Sequence, residues 1–478
     1  MMIRNVTKSG SFAAVSLAVL TGGLLNAALA SAQPAPQVTP APLVPQAAAP
    51  AQPASSNGLD VTVSDDSAWV SLGIDIPAFA TAQDVPTPAS GGSTARLGRA
   101  IADVITSDLK NNGLFKPVGP GQLPGIPVEQ VLAPDFPAWS TRGAEMLVHG
   151  QVEATGQGDL TVSCYLYDVA LKQQLTKASW TFGPADWRRA AHKCADTIYS
   201  RLSGESPFFD SRIAYIAETG PKNFRMKRLA IMDSDGSNHR FITSGQAMAM
   251  TPRFSPDYKS ILYLSYLNGV PRVYVYDVEH NTQRLVIESK NTTLAPRWSP
   301  DGKWILYSMA IAGNTNIYRI SAQGGKSQQL TDTPGINVGG SYSPDGSKIV
   351  FESDRSGTQQ VYVMNVDGTN QHRISFFGGR SATPEWSPRG DQIAFTHIAG
   401  NLRVAVMNPD GSGLRHLTNG WQDEAPTWAP NGRIIQFFRT EKDTGHTSIW
   451  QVDLTGRNER RLPTPVDGSD PAWGPIRP

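Results

Sequence analysis

An excess of charge of either sign is missing from this 478-residue chain: 42 Lys and Arg stand against 41 Asp and Glu, a formal net charge of +1. That balance supplies no long-range field to draw in nucleic acid or an anionic membrane surface. Charge is scarce altogether, at 17% of residues. Cysteine is nearly absent, with Cys164 and Cys194 alone in the chain, which excludes a disulfide-built scaffold and a cysteine-rich metal site. No stretch after residue 25 is long and apolar enough to span a bilayer, so no transmembrane segment is expected. The signatures of common hydrolases are missing too. There is no G-x-S-x-G elbow and no H-E-x-x-H, and the eight histidines are scattered. No catalytic, cofactor-binding or metal-binding residue is expected, and nothing after Pro478 leaves room for a hydrolase domain.

What the chain has in quantity is turn formers, 44 Gly and 36 Pro, a composition suited to a turn-rich β protein. Residues 1–32 read as a secretory signal peptide. Arg4 and Lys8 give the positive start, residues 12–25 the apolar run, and "AALASA" the small residues for cleavage after Ala30 or Ala32. Residues 33–58 form a Pro/Ala-rich linker without the bulky side chains needed for a core. Its polyproline reach is about 70 Å, which suits a spacer or a tether.

Residues 59–204 read as a small α/β domain. "LDVTVSDDSAWVSLGIDIPAF" holds two strand-like runs. A helix follows in which Leu97, Ile101, Val104, Ile105 and Leu109 share one face, with Gly113 as its stop. "AEMLVHGQVEA" and "LTVSCYLYDVALKQQLTKASW" read as strands, and a second helix is entered through Pro184 and Asp186 and left at Gly204. The order is β–α–β–β–α. Cys164 falls on a strand and Cys194 on a helix; a disulfide and a pair of buried thiols both fit. Neither cysteine is read as catalytic.

From residue 205 one sentence is rewritten at fixed spacing. The copies are "PRFSPDYKSILYL", "PRWSPDGKWILYS", "GSYSPDGSKIVFE", "PEWSPRGDQIAFT", "PTWAPNGRIIQFF" and a truncated "PAWGPIRP". Their aromatics Phe254, Trp298, Tyr342, Trp386, Trp428 and Trp473 are separated by 44, 44, 44, 42 and 45 residues. Each complete copy precedes a second strand pair, as in "VYVMNVDGTNQHRIS". A period of this length holding four strands is that of a β-propeller blade. The strands missing after the last copy occur before the first, in "SRIAYIAETG" and "RLAIMDSDGSNHRFIT". The expectation is therefore a six-bladed β-propeller over 205–478, closed by pairing of the C-terminal strand with residues 211–243. "DSDGSN" echoes the start of a calcium loop, but without the rest of the ligand spacing it reads as a hairpin turn.

These repeats, with "LGRAIADVITSDLKNNGLFKPV", "AWSTRGAEMLVHGQV" and "CADTIYSRLSGESPFFDSRIAYIAE" ahead of them, resemble the TolB family of the Tol–Pal envelope system over residues 59–478. The resemblance implies a monomeric periplasmic scaffold with no reaction of its own. It implies that the propeller binds the peptidoglycan-associated lipoprotein Pal and that the N-terminal segment contacts TolA. It also implies a part in outer-membrane integrity, constriction at cell division and the import of some bacteriocins, with other envelope proteins as further partners.

The residues themselves indicate where a partner docks. Six loops lead into the innermost strands, at 246–251, 291–295, 335–339, 378–383, 420–425 and 466–470, and their last residues are expected to ring one channel mouth. The candidate Pal-binding residues there are Met248, Met250, Thr292, Leu294, Ala295, Ile336, Val338, Arg380, Trp421 and Glu424. Flexible methionines and an aromatic on a weakly charged rim suit a protein partner. The resemblance places Pal at this mouth, with Thr292, Ala295 and Val338 at matching positions. For TolA the candidates are Leu59, Val61 and Val63, whose alternation suits strand addition; the Pro/Ala tract ahead of them departs from the family pattern. The rival reading is a glycan-binding or glycan-processing propeller using Trp421, Asp423 and Glu424.

Overall fold

The computed structural model describes residues 71–89, 92–118, 126–221, 224–267 and 269–478. The expected signal peptide, the Pro/Ala-rich linker and the TolA candidates Leu59, Val61 and Val63 lie outside the described residues. No helix among the described residues is long and apolar enough to cross a membrane.

The N-terminal part is a five-stranded sheet covered by helices. Strand β1 (Leu72–Asp75) pairs in parallel with β2 (Phe115–Pro117) and with β3 (Met146–Ala154). Antiparallel β4 (Leu160–Asp168) and β5 (Gln173–Phe182) follow, giving the order β2-β1-β3-β4-β5. Helix α1 (Thr94–Asn111) buries the face formed by Leu97, Ile101, Val104, Ile105 and Leu109. Ser93 caps it by accepting from the Arg96 N–H, and Asn112 ends it one residue before Gly113. Two short helices, α2 (Val128–Leu132) and α3 (Phe136–Thr141), precede β3. The long run after β3 is a hairpin of two strands, because Lys172 turns the chain at φ 55°. Helix α4 (Trp187–Ser203) ends at Gly204, whose φ of 73° stops it. Cys164 on β4 and Cys194 on α4 form a disulfide, so the bridge and not the thiol pair is the outcome.

Each repeat begins with an inner strand. The six are Ala249–Phe254, Thr293–Trp298, Asn337–Tyr342, Arg380–Trp386, Gln422–Trp428 and Asp467–Ile476. Neighbouring inner strands pack side by side, and Asp467–Ile476 packs against both Gln422–Trp428 and Ala249–Phe254. Turn chemistry reverses the chain after each. In one copy Asp301 Oδ1 accepts from Ser299 Oγ at 2.5 Å and from Lys303 N at 3.1 Å, while Gly302 takes a φ of 68°. The repeat aromatics tie one unit to the next: Trp298 Nε1 donates to Arg253 O and Trp428 Nε1 to Glu385 O. The second strands each bury one large ring, Tyr215, Tyr263, Tyr307, Phe351, Phe395 and Phe437, worth about 2–3 kcal/mol apiece.

The repeats are distributed over four four-stranded sheets and one of eight strands. Of the expected six blades, four stand as separate four-stranded sheets, and a single parallel bridge, Leu402↔Gln422, joins the units around Trp386 and Trp428 into one sheet. The C-terminal strand Asp467–Ile476 pairs antiparallel with Ser211–Thr219, which continues through Met226–Asp233 to Arg240–Phe241. The "DSDGSN" segment is a tight turn, with Asp233 N donating to Ser237 O and Gly236 at φ 91°.

Candidate functional site: the two ends of the propeller strands

Antiparallel pairing sorts every loop to one of two ends. Ala249 pairs with Ser265 and Thr293 with Met309. The hairpins after those second strands therefore lie at the same end as the loops that lead into the inner strands. The Ser-Pro-Asp-Gly turns lie at the other end, about 20 Å away along six residues of strand.

The α/β part of the chain meets the propeller at the turn end. Glu205 bridges Arg389 (2.8 Å) and Arg433 (2.9 Å to Nε), residues of two successive turns. Burial works against its charge, but the hydrogen bonds and charges of Arg433 and then Arg389 hold its carboxyl below the usual range. Tyr199 on α4 accepts from Asn431 Nδ2 at 3.2 Å. Asp196, 7% exposed, accepts from the N–H groups of Phe208, Phe209 and Asp210 at 2.7, 2.8 and 3.0 Å. That carboxylate clamps the link between the two parts.

A buried charge cluster sits beside it. His192 Nδ1 lies 2.7 Å from Asp108 Oδ2, and Arg188 pairs with Asp235. Burial alone would lower the His192 pKa, but Asp108, Asp235 and Asp233 push it up to about 9. His192, Asp233 and Asp235 offer atoms within 4.8 Å of one another, the one grouping among the described residues with metal-like spacing. Their carboxylates already accept from Arg188, Arg212, Ser237 and Asn238, so the arrangement is an ion-pair junction.

The opposite end is built differently. Each inner strand carries a bulge at one equivalent position, where the chain takes a left-handed torsion: Thr251 (47°), Ala295 (46°), Gly339 (72°), Thr383 (50°), Ala425 (51°) and Asp470 (47°). Five of the six are not glycine, a costly conformation for a side chain. Polar side chains meet the N–H groups so turned. Thr383 N donates to Glu352 Oε2 at 2.6 Å, and Ala425 N to Thr396 Oγ1 at 3.2 Å. Burial pushes Glu352 up to about 7. Burial, then Asp470 and Asp423, push Glu424 up to about 7 as well.

Two residues further along, side chains meet across the axis. Glu385 lies 4.0 Å from Arg253 Nε and 3.7 Å from Arg297 on inner strands that are not its neighbours. Its other oxygen accepts from Thr427 Oγ1 at 2.8 Å. Burial, then the charge of Arg253, lowers Arg297 to about 9.

The sequence candidates gather at this end, but not all face out. Ile336 (41%) and Trp421 (42%) are exposed, as is Thr292. Met248, Met250, Leu294, Ala295, Arg380 and Glu424 are half-buried. Val338 is 4% exposed and packs inward, so it offers nothing to a rim. The glycan candidates are not brought together: Asp423 is fully buried and held by Arg439 at 2.6 and 2.8 Å, while Lys442 covers the Trp421 ring. Five further apolar residues are exposed at this end: Phe224, Met226, Leu267, Ile311 and Phe376. With Ile336 and Trp421 they make seven of the eleven exposed large hydrophobics among the described residues. The first four lie on hairpins outside the loops singled out from sequence. Their signal was an apolar residue in or next to a hairpin that carries a glycine.

Fold and topology define a class: a β-propeller built of repeats 42 to 45 residues long behind a small α/β domain. Residues 199–477 match the family described as the TolB beta propeller domain, and residues 78–175 the TolB amino-terminal domain. The chain belongs to the TolB family. It is 79% identical over 439 residues to "Tol-Pal system protein TolB 1" of Novosphingobium aromaticivorans, across 90% of this chain and 97% of that one. It is 67% identical to the Tol-Pal system protein TolB of Zymomonas mobilis, across 82% and 87%. Among solved structures it is similar to TolB from Acinetobacter baumannii, with a TM-score of 0.74 and 26% identity over 85% of this chain and 97% of that one.

Proposed function

We propose that the chain is a periplasmic, non-enzymatic scaffold whose propeller end opposite the α/β domain docks the lipoprotein Pal. In this reading the eight-stranded sheet is two blades, the propeller has six, and the pairing of Asp467–Ile476 with Ser211–Thr219 closes the ring. The segment containing Leu59, Val61 and Val63 serves TolA by strand addition, and the two contacts support outer-membrane integrity and constriction. One observation carries the reading: among the described residues, seven of eleven exposed large hydrophobics share one end of the propeller, while at the other end the α/β part already occupies the turns of Arg389 and Arg433. Apolar side chains concentrated on one face of a soluble domain mark a protein contact. A glycan site is not retained, because Asp423 is consumed by Arg439.

Titration calorimetry of the mature chain with the soluble domain of Pal from the same organism tests it. Ile336→Arg is expected to weaken binding by about tenfold or more, about 1.4 kcal/mol, with an unchanged thermal melt. Equal binding by Ile336→Arg and Trp421→Ala would move the site elsewhere. No binding between two folded proteins would sink the proposal.

A further inference from the structure

A cavity of about 550 Å³ opens between the units of inner strands Ala249–Phe254 and Thr293–Trp298. It lies at the turn end, away from the mouth. Trp298 is part of its wall, with Gln283 and Arg284. Three carboxylates join them, Asp257, Asp277 and Asp301, with the cation of Arg284; outside the wall Lys303 Nζ stands 3.8 Å from Asp301 Oδ2 and His280 Nδ1 3.1 Å from Asp277 Oδ1. Arg284 is committed to Ala322 O at 2.7 Å. Each aspartate spends Oδ1 on its own turn: Asp257 accepts from Ser255 Oγ, Asp301 from Ser299 Oγ, and Asp277 from the N–H groups of Glu279 and His280. Those hydrogen bonds hold Asp277 and Asp301 below the usual carboxylate range, so both carry full charge at neutral pH.

Another pair of successive turns already grips a charged group supplied by the chain. In "WSPR" Arg389 holds the turn position that Asp257 and Asp301 hold in "FSPD" and "WSPD". Arg389 and Arg433, from successive turns, grip the Glu205 carboxylate. There two cations hold an anion supplied by the chain. Between Asp257 and Asp301 the sign is reversed. A group large enough to fill the space, apolar enough to lie on Trp298 and positively charged at its tip matches the wall.

We infer that this wedge is a second docking site, taking a lysine- or arginine-bearing segment of a partner protein. The occupant is a basic peptide: three carboxylates line the wall, its one cation, Arg284, is committed to Ala322 O, and Lys303 and His280 flank it from largely exposed positions. Because the site lies at the end remote from the mouth, it stands or falls independently of Pal.

The test uses the mature chain and trilysine as probe, with triglutamate and spermidine as separate arms, read by calorimetry at low salt. Saturable binding of trilysine and none of triglutamate is expected. Asp257→Arg/Asp301→Arg, which copies the Arg389 turn, should weaken trilysine by about tenfold or more and admit triglutamate. Asp345→Arg, the same turn position in the next unit and outside the cavity wall, should leave binding intact. If the double variant melts early, Asp277→Asn keeps the turn's acceptor, removes one charge and should still weaken trilysine severalfold. Trilysine binding equal in wild type, the double variant and Asp277→Asn would overturn the site, as would no binding at all. Spermidine binding without trilysine would overturn the peptide assignment.

Discussion

The two ends of the propeller strands are made from the same repeat and have opposite fates. At the turn end polar groups are spent inward: Glu205 on two arginines, Asp196 on three backbone N–H groups, His192 on Asp108. At the mouth, apolar side chains are exposed, the backbone is held in left-handed torsions, and two carboxyls sit near neutral pKa. Stability is concentrated where the chain meets itself, and strain at the end proposed to dock Pal. Substitutions should therefore sort by place, with those where the α/β part meets the propeller read by melting and those at the mouth by binding.

The largest effect belongs to Asp196. Asp196→Ala strands three N–H groups in a buried link, at a cost of about 4 kcal/mol. A chemical-denaturation midpoint unchanged by this substitution would mean that the link is not part of the cooperative unit. Glu205→Ala comes next, at about 2 kcal/mol, because the carboxylate is only partly shielded and water can replace part of its interaction with Arg389 and Arg433. Ile336→Arg at the mouth should change the same midpoint by less than about 0.5 kcal/mol. Equal losses at both ends would erase the contrast.

Acidity sharpens it further. Glu352 and Glu424 ordinarily titrate at 4.5 and are pushed up to about 7 in the fold, by burial first in both cases. Between those values the folded chain holds more protons than the unfolded one, so stability falls as pH rises through about 7. Moving from pH 8 to pH 6 should stabilise the chain by about 1 kcal/mol for each glutamate. Glu352→Gln, which keeps an acceptor for Thr383 N, should remove its share of that gain. A melting temperature equally pH-dependent in wild type and Glu352→Gln would place the titration elsewhere.

Much of this was legible in advance because the repeat is written in residues with one strong preference each. Asp-Gly after Ser-Pro sets the turn, and the aromatic before it sets the packing between units. The mouth was legible only in outline. Val338 reads as a rim residue by position, yet strand alternation turns it inward. Phe224 and Leu267 stand in hairpins, and nothing local shows that those hairpins share an end with the inbound loops until the register is known. The interface at Glu205 depends on residues 184 and 228 positions away, a distance no local pattern spans.

The bulges offer the smallest effect and the sharpest test of strain at the mouth. A left-handed residue with a side chain costs about 1–2 kcal/mol, and one of the six positions already has glycine, Gly339 at φ 72°. Ala295 loses no polar contact when its methyl is removed. Ala295→Gly releases the strain but gives the unfolded chain more freedom, which returns about 0.5–1 kcal/mol. The net gain should be about 0.5 kcal/mol, visible as a slightly higher melting temperature. If the strained torsion also holds the mouth ready for its partner, the same variant should bind Pal slightly more weakly although it is more stable. A variant that melts lower would show that the fold around the bulge favours the alanine for its packing, and the account of strain at this end would have to be given up.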